Sequence, residues 1–218
     1  MNKVFNLIAA STLALGAGTV GASAALLDFT STASYDVQSD ALASGTINGI
    51  GWTLTPSGGD LTFTTPGPGS IGDLVGDNDG IGVDDDEITL SPAESVTLTF
   101  DKAIRVTGLY FLDLFISSDG AVTESAVVSS NGSAILELFA TENEPGFGLG
   151  DFTELAGDFV SFTGTSFTFT VGNDNDNVGK ADFALAGIEI APIPLPAGIL
   201  LLGTALGGLG IARRRKKA

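Results

Sequence analysis

A dense cluster of carboxylates in the middle of the chain is the strongest candidate for a chemical site. Seven acidic side chains and one amide fall within residues 73–87. At this spacing the carboxylates repel one another unless water or a cation relieves the repulsion, and Ca²⁺ prefers six to eight oxygen ligands. The cluster therefore indicates either a solvated acidic loop or a loop of the predicted domain that calcium stabilises, and calcium is the favoured ligand if one binds. The candidate ligands in this cluster are Asp73, Asp77, Asp79, Asp84, Asp85 and Asp86.

A second stretch offers the same kinds of oxygen atom. Residues 173–177 alternate amide and carboxylate side chains directly after a predicted strand, which adds Asp174 and Asp176 as candidate calcium ligands. A polar turn is the favoured interpretation of this stretch, since Asn and Asp tolerate the backbone conformations that turns need, and calcium binding is the alternative. The first cluster is not an EF-hand, because Ile88 stands at the twelfth position, counted from Asp77, where that loop requires Glu.

The sole tryptophan, Trp52, is the candidate residue for binding an uncharged ligand. An exposed indole ring is suited to stacking on a sugar. However, Trp52 alternates with Ile50 and Leu54 on one face of a predicted strand, and this pattern favours packing in the core. Sugar binding at Trp52 therefore stands as the alternative to core packing.

Histidine and cysteine are both absent, and this excludes several kinds of catalysis. Neither a Ser/His/Asp nor a Cys/His arrangement can form, and no disulfide or thiolate metal site can hold the fold together. Paired carboxylates are able to hydrolyse glycosidic bonds, but no pair here is singled out by the sequence. We therefore expect a protein that is not an enzyme, with a carboxylate-based glycan hydrolase as the last of the alternatives.

Charge is strongly segregated along the chain, whose net charge is −17. All 26 acidic residues but only three of the nine basic residues lie within residues 28–189, which gives that region a net charge of −23. Such an excess repels the phosphates of nucleic acids, so we expect no nucleic-acid partner. The remaining basic residues flank two apolar segments at the ends of the chain.

The region between the apolar segments has the pattern of β-strands. Asn48-Gly49 and Asn131-Gly132 are turn signals, and no apolar stripe persists at helical spacing. We therefore predict one all-β domain over residues 25–190, a two-sheet β-sandwich of jelly-roll type in which phenylalanine supplies much of the core. Period-two alternation predicts strands at residues 46–55, 61–65, 87–90, 95–100, 105–115, 121–128, 133–140, 159–163, 165–171 and 183–190.

The N-terminus predicts a secretory signal peptide over residues 1–24. Lys3 precedes an apolar run, and the small residues Ala22 and Ala24 stand at the −3 and −1 positions of a signal-peptidase site. A permanent N-terminal anchor is the alternative, which the polar residues and glycines within the run disfavour. Export across the inner membrane is therefore expected.

The C-terminus has three parts in order: a proline motif at residues 192–197, an uncharged apolar span at 197–212 and a basic tail at 213–217. As a helix, the span reaches about 24 Å, somewhat short of the roughly 30 Å hydrocarbon core, and we predict that it crosses the membrane as one helix. The positive-inside rule keeps the tail in the cytoplasm and places the acidic region outside. The tail consists of Arg213, Arg214, Arg215, Lys216 and Lys217.

These three parts, in this order, resemble the PEP-CTERM class of sorting signals. Ile193, Pro194, Leu195, Pro196 and Ala197 look like its VPLPA variant, with Ile in the place of Val. The resemblance implies recognition by an exosortase, an integral membrane cysteine protease and transpeptidase of Gram-negative bacteria that also make exopolysaccharide. An ordinary single-pass anchor with a proline-rich stalk is the alternative, and it gives nearly the same topology.

The region before the proline motif also resembles the β-sandwich ectodomains common among PEP-CTERM proteins. The sequence thus predicts an exported protein that the C-terminal span holds in the inner membrane before processing, and that then reaches the cell surface or extracellular matrix. Its ectodomain is expected to be a structural or binding β-sandwich stabilised by calcium. A carbohydrate-binding module associated with exopolysaccharide is the main alternative.

Overall fold

Every regular element that the structure describes is a β-strand. The computed structural model describes residues 24–31, 36–39, 42–63, 67–84, 87–90, 93–116, 123–143, 150–153, 161–172 and 181–193. No helix occurs in these ranges, so the predicted all-β class is confirmed. The strands are β1 (Ala25–Asp28), β2 (Asp36–Ser39), β3 (Leu42–Ile47), β4 (Ile50–Ser57), β5 (Leu61–Thr62), β6 (Gly82–Val83), β7 (Ile88–Thr89), β8 (Ser95–Leu112), β9 (Phe115–Ile116), β10 (Ser125–Ser130), β11 (Ser133–Phe139), β12 (Glu142–Asn143), β13 (Gly150–Thr153), β14 (Phe162–Val171) and β15 (Asp182–Pro192).

Eleven strands form one antiparallel sheet around β8. Its main path runs in the order β11-β10-β14-β8-β4-β3-β2, while β13 and β15 also pair with β8, and β15 pairs with β1 and β7. At 18 residues β8 unites two of the predicted strands, and β14 unites another two. The predicted break in β8 falls where Asp101, Lys102 and Ala103 are exposed, because the apolar alternation stops there while the backbone continues as a strand.

The two halves of β8 lie in different surroundings. The first half lies between β4 and β14 in the sheet, whereas the second half lies between β15 on one side and β13 with the start of β14 on the other. Phe169 is the sheet partner of Val96, and yet its ring centroid lies 6.3 Å from that of Phe111, fifteen residues further along β8. Fifteen residues of straight strand span about 50 Å. The strand therefore bends sharply and brings its two halves towards each other.

Phenylalanine rings from several strands fill the space inside this bend. Phe111 meets Phe183 edge to face at a centroid distance of 5.1 Å, and Phe100 meets Phe167 at 6.4 Å. Such T-shaped pairs add about 0.5–1.5 kcal/mol beyond the burial of their area. The largest fully buried side chains include Phe29, Phe111, Phe167, Phe169 and Phe183, which places phenylalanine at the centre of the core as the composition predicts.

Two hairpin turns follow the Asn-Gly signals in the sequence. Asn48 and Gly49 have φ angles of 51° and 73°, and Asn131 and Gly132 have φ angles of 52° and 75°. Positive φ at both central residues is the type I′ turn, whose twist suits a two-residue hairpin. These turns join β3 to β4 and β10 to β11.

The first and last strands of the described domain lie side by side. β1 pairs antiparallel with β15, and Ala25 lies opposite Ile190. β15 extends two residues beyond the predicted end of the domain, to Pro192, which lies opposite Ile104 in the sheet. Both ends of the domain therefore emerge at the same place.

Candidate functional site

Much of the first acidic cluster lies against the sheet. Residues 67–80, here called the covering segment, contain Asp73, Asp77 and Asp79 and cross the outer face of the second half of β8 and of β15. Leu74 anchors the segment and is only 2% exposed. It packs in a small apolar cluster with Tyr110, Leu112, Ala184 and Ala186.

A buried carboxylate outside the predicted cluster holds the covering segment in place. Asp28, in β1, accepts hydrogen bonds through Oδ1 from the backbone N–H and the hydroxyl of Thr30, at 2.8 and 2.6 Å. Its Oδ2 accepts the backbone N–H of Val75 at 2.9 Å. The hydroxyl oxygen of Thr30 accepts the N–H of Gly76 at 2.9 Å, and its carbonyl accepts the N–H of Asn78 at 3.1 Å. Asp28 and Thr30 thus satisfy the backbone donors of the segment.

The covering segment also doubles back on itself. The N–H of Gly67 donates to the carbonyl of Asp77, and the N–H of Gly69 donates to that of Gly76. Gly76 has a φ of 72°, and a Cβ added there would collide with the carbonyl group of Gly69. Only glycine fits at this close approach of two backbones.

The described candidate ligands of calcium do not gather around one point. Asp73, Asp77 and Asp84 are exposed, and Asp84 accepts the backbone N–H of Asp60 through Oδ1 at 3.3 Å. Within the residues that the structure describes, no group of three or more acidic side chains could hold a metal ion. The other candidates, Asp85, Asp86, Asp174 and Asp176, lie outside the described residues. Calcium binding stays a prediction.

Two further buried acids are hydrogen-bond acceptors for the backbone. Glu94 accepts both the N–H and the hydroxyl of Thr89 through Oε2, at 2.9 and 2.8 Å. Glu124 accepts the N–H of Phe115 at 2.6 Å. Such charge-assisted bonds are roughly twice as strong as neutral ones. Like Asp28, these two carboxylates hold a loop against a strand by accepting hydrogen bonds from backbone N–H groups. The sequence pattern did not indicate this role.

Trp52 lies in the core and is 3% exposed. Its ring meets that of Phe29 edge to face at 5.8 Å, and a Cβ added at Gly45 would come within 2.8 Å of the indole. The indole N–H is buried without a hydrogen-bond partner among the described residues. The ring offers no face for a sugar to stack on, because the core covers it.

Little of the predicted targeting signals falls within the described residues. Ala24 is exposed directly before β1, and Ile193 is 43% exposed directly after β15. Ala22, residues 194–197, the span and the basic tail lie outside. Among the described residues no helix is long and apolar enough to cross a membrane.

A feature that the sequence did not reveal is the outer face of the sheet where the first half of β8 lies between β4 and β14. Cross-strand partners form two rows of hydroxyl side chains there, here called the hydroxyl face, and every member is at least partly exposed. The signal is the alternation in Thr53-x-Thr55, Thr97-x-Thr99 and Ser166-x-Thr168. One row is Ser44, Thr53, Thr99 and Ser166, and the other is Thr55, Thr97, Thr168 and Ser129.

No protein-family model matches the chain, and searches of curated proteins and of solved structures found no match either.

Proposed function

We propose that this chain is an exported protein of the cell surface or extracellular matrix, with a C-terminal exosortase signal and a non-enzymatic ectodomain. The observation that carries the proposal is the order of proline motif, apolar span and basic tail in residues 192–217, together with the signal-peptide pattern in residues 1–24. An exosortase in the inner membrane of a Gram-negative bacterium is the partner that this order implies.

The positions of the two ends of the described domain support this topology. β1 begins directly after Ala24, and β15 ends one residue before Ile193, where the VPLPA-like motif begins. Because Ala25 and Ile190 are sheet partners, the two junctions lie together. The same side of the domain therefore faces the membrane whether the N-terminal or the C-terminal segment is the one held there. The chain does not have to cross the surface of the domain to reach either signal.

The ectodomain in this proposal is a two-layer β-sandwich of jelly-roll type. The bend in β8 and the contact of Phe111 with Phe169 support two layers with phenylalanine between them. Calcium is proposed as a stabilising ligand of the acidic loops. Residues outside the described ranges supply half of its eight candidate ligands.

Cell fractionation of the native host tests the sorting signal. We compare the wild type with a variant carrying Pro194→Ala and Pro196→Ala, and with one that lacks residues 213–217. The wild type should reach the surface or the medium, whereas both variants should stay in the inner membrane. Pro56→Ala, the same chemical change within β4, is the control and should be sorted normally. Normal sorting of the double variant would contradict the proposal.

A further inference from the structure

The hydroxyl face is an uncharged surface on an acidic protein. Its two rows cross β3, β4, β8, β14 and β10, and none of its eight side chains carries a charge, although the chain has 26 acidic residues. None of the eight is buried. We propose that this face binds a neutral polysaccharide. The proposal does not depend on the sorting signal.

Four of the eight hydroxyl groups of the face are hydrogen-bonded in two pairs whose direction can change. Thr97 and Thr168 share a hydrogen bond of 3.0 Å between their Oγ1 atoms, and Thr99 Oγ1 lies 3.2 Å from Ser166 Oγ. In each pair either atom can donate. A hydroxyl has one donor and two acceptor sites, so each pair keeps capacity for a further partner and can reverse its direction. The hydroxyls of a sugar have the same dual capacity, which makes the two surfaces complementary.

Threonine also supplies methyl groups, and the face has an apolar border. Successive side chains on one face of a strand lie about 6.6 Å apart and neighbouring strands about 4.8 Å apart, so methyl and hydroxyl groups alternate closely. At the β11 edge Ile135 and Phe139 are exposed, the latter by 53%. Phe139 lies opposite Ser125, on the same side of the sheet as the rows but four residues along β10 from Ser129, with the exposed Glu137 between them. The exposed ring extends this side of the sheet towards β11 with a surface that suits the apolar C–H face of a sugar ring.

Charge decides which polysaccharide fits. A ligand carrying carboxylates or sulfates would be repelled by a net charge of −17. Acidic side chains also stand at two borders of the face, Asp101 beside Gly51 and Glu137 beside Ser125. An uncharged glycan meets no such repulsion over the rows. The same charges disfavour a second copy of this chain as the occupant, because face-to-face pairing would bring like charges together.

Affinity electrophoresis of the full-length chain in mild detergent tests the proposal. Native gels contain dextran, barley β-glucan or hydroxyethyl cellulose, with alginate as the acidic comparison. We expect at least one neutral polymer to retard the wild type and alginate to leave its mobility unchanged. The triple variant Thr55→Val, Thr97→Val and Thr168→Val keeps the β-branched shape and removes the hydroxyls, and its dissociation constant should rise about tenfold. Phe139→Ser should weaken binding as well.

Matched controls separate this site from a general loss of fold. Thr141→Val changes an exposed threonine away from the rows, and Val75→Ser changes an exposed apolar residue of the covering segment. Both should bind as the wild type does. Circular dichroism checks the fold of each variant, and if the triple variant does not fold, Thr97→Val alone and Phe139→Ser give the answer.

Four results would overturn the proposal: no retardation by any neutral polymer, equal retardation by alginate, equal weakening in the controls, or unchanged binding by the folded hydroxyl variants. Sedimentation velocity adds a fifth. Self-association of the wild type that the triple variant loses would make the face a contact between copies instead.

Discussion

The two halves of β8 differ in what lies on the outer face of the sheet: the first half is open to solvent, and the covering segment lies over the second half. In the first half, Thr97 and Thr99 point outwards and remain accessible. In the second half, Tyr110 and Leu112 point outwards, and the covering segment buries them through Leu74. One strand therefore carries a bare face and a covered face. The outward-pointing residue types indicate which face is exposed and which is covered. Hydroxyl side chains are stable in contact with water, whereas large apolar side chains are more stable when another segment buries them.

Truncating the outward residues of the two halves should produce the largest contrast. Leu112→Ala removes a buried side chain beneath the covering segment and should lower the free energy of unfolding by about 3 kcal/mol. Thr99→Ala, on the bare face, should change it by about 0.5 kcal/mol or less. Urea unfolding of both variants makes the comparison. Similar effects at both sites would show that the covering segment contributes little to stability.

Loss of the carboxylate of Asp28 should loosen the covering segment. In Asp28→Asn one side-chain oxygen becomes an NH₂ group that faces a backbone donor, and we expect a loss of about 2 kcal/mol. Hydrogen exchange should then increase within residues 67–80 first. Asp73→Asn changes an exposed acid of the segment and serves as the control. Unchanged exchange at Val75 and Gly76 in the Asp28 variant would contradict the assigned role.

Two glycines with nearly the same backbone conformation separate packing from strain. Gly76 and Gly132 have φ angles of 72° and 75°, but only at Gly76 would a Cβ meet other atoms. Both alanine variants carry the strain of a positive φ, and Gly76→Ala adds the collision with Gly69. We expect the Gly76→Ala variant to be less stable than the Gly132→Ala variant by about 1 kcal/mol or more in thermal unfolding. Equal losses would mean that the segment moves aside freely.

Calcium should give the smallest effect. Asp28 and Thr30 already hold the covering segment by hydrogen bonds, and Asp73 and Asp77 are exposed, so we expect calcium to bind weakly and to add little to the free energy of unfolding. At calcium concentrations near its dissociation constant this is about 0.4 kcal/mol. Calorimetry with calcium and with EDTA measures it. A large chelator-dependent fall in melting temperature would make calcium a principal element of the fold.

Sequence reasoning was most successful where one local rule decides the structure. The Asn-Gly turns follow from the need for positive φ at two successive residues, although the predicted strand 46–55 ran through the turn at Asn48-Gly49. The predicted strand 183–190 matches β15 to within two residues at each end, whereas β14 was predicted as two strands that meet at Gly164. It split β8 because the polar residues at the bend resemble a loop. It also missed five strands of two to four residues, which are too short to show a period: β1, β2, β6, β12 and β13.

The candidate site was harder to predict because its geometry depends on distant contacts. The acidic cluster was visible, but its fastening to Asp28 joins residues 47 positions apart in sequence. Nothing local in the sequence distinguishes a carboxylate that accepts backbone N–H groups from one that coordinates a cation. The hydroxyl face was equally hidden, since threonine alternation is common in strands and its meaning depends on which strands become neighbours.

Intact-mass analysis with N-terminal sequencing, on protein isolated from its native host, tests the central claim of export and sorting most directly. The account predicts a mature chain that begins at Ala25 and has lost the apolar span and the basic tail. A single species that retains both Met1 and Ala218 would contradict it.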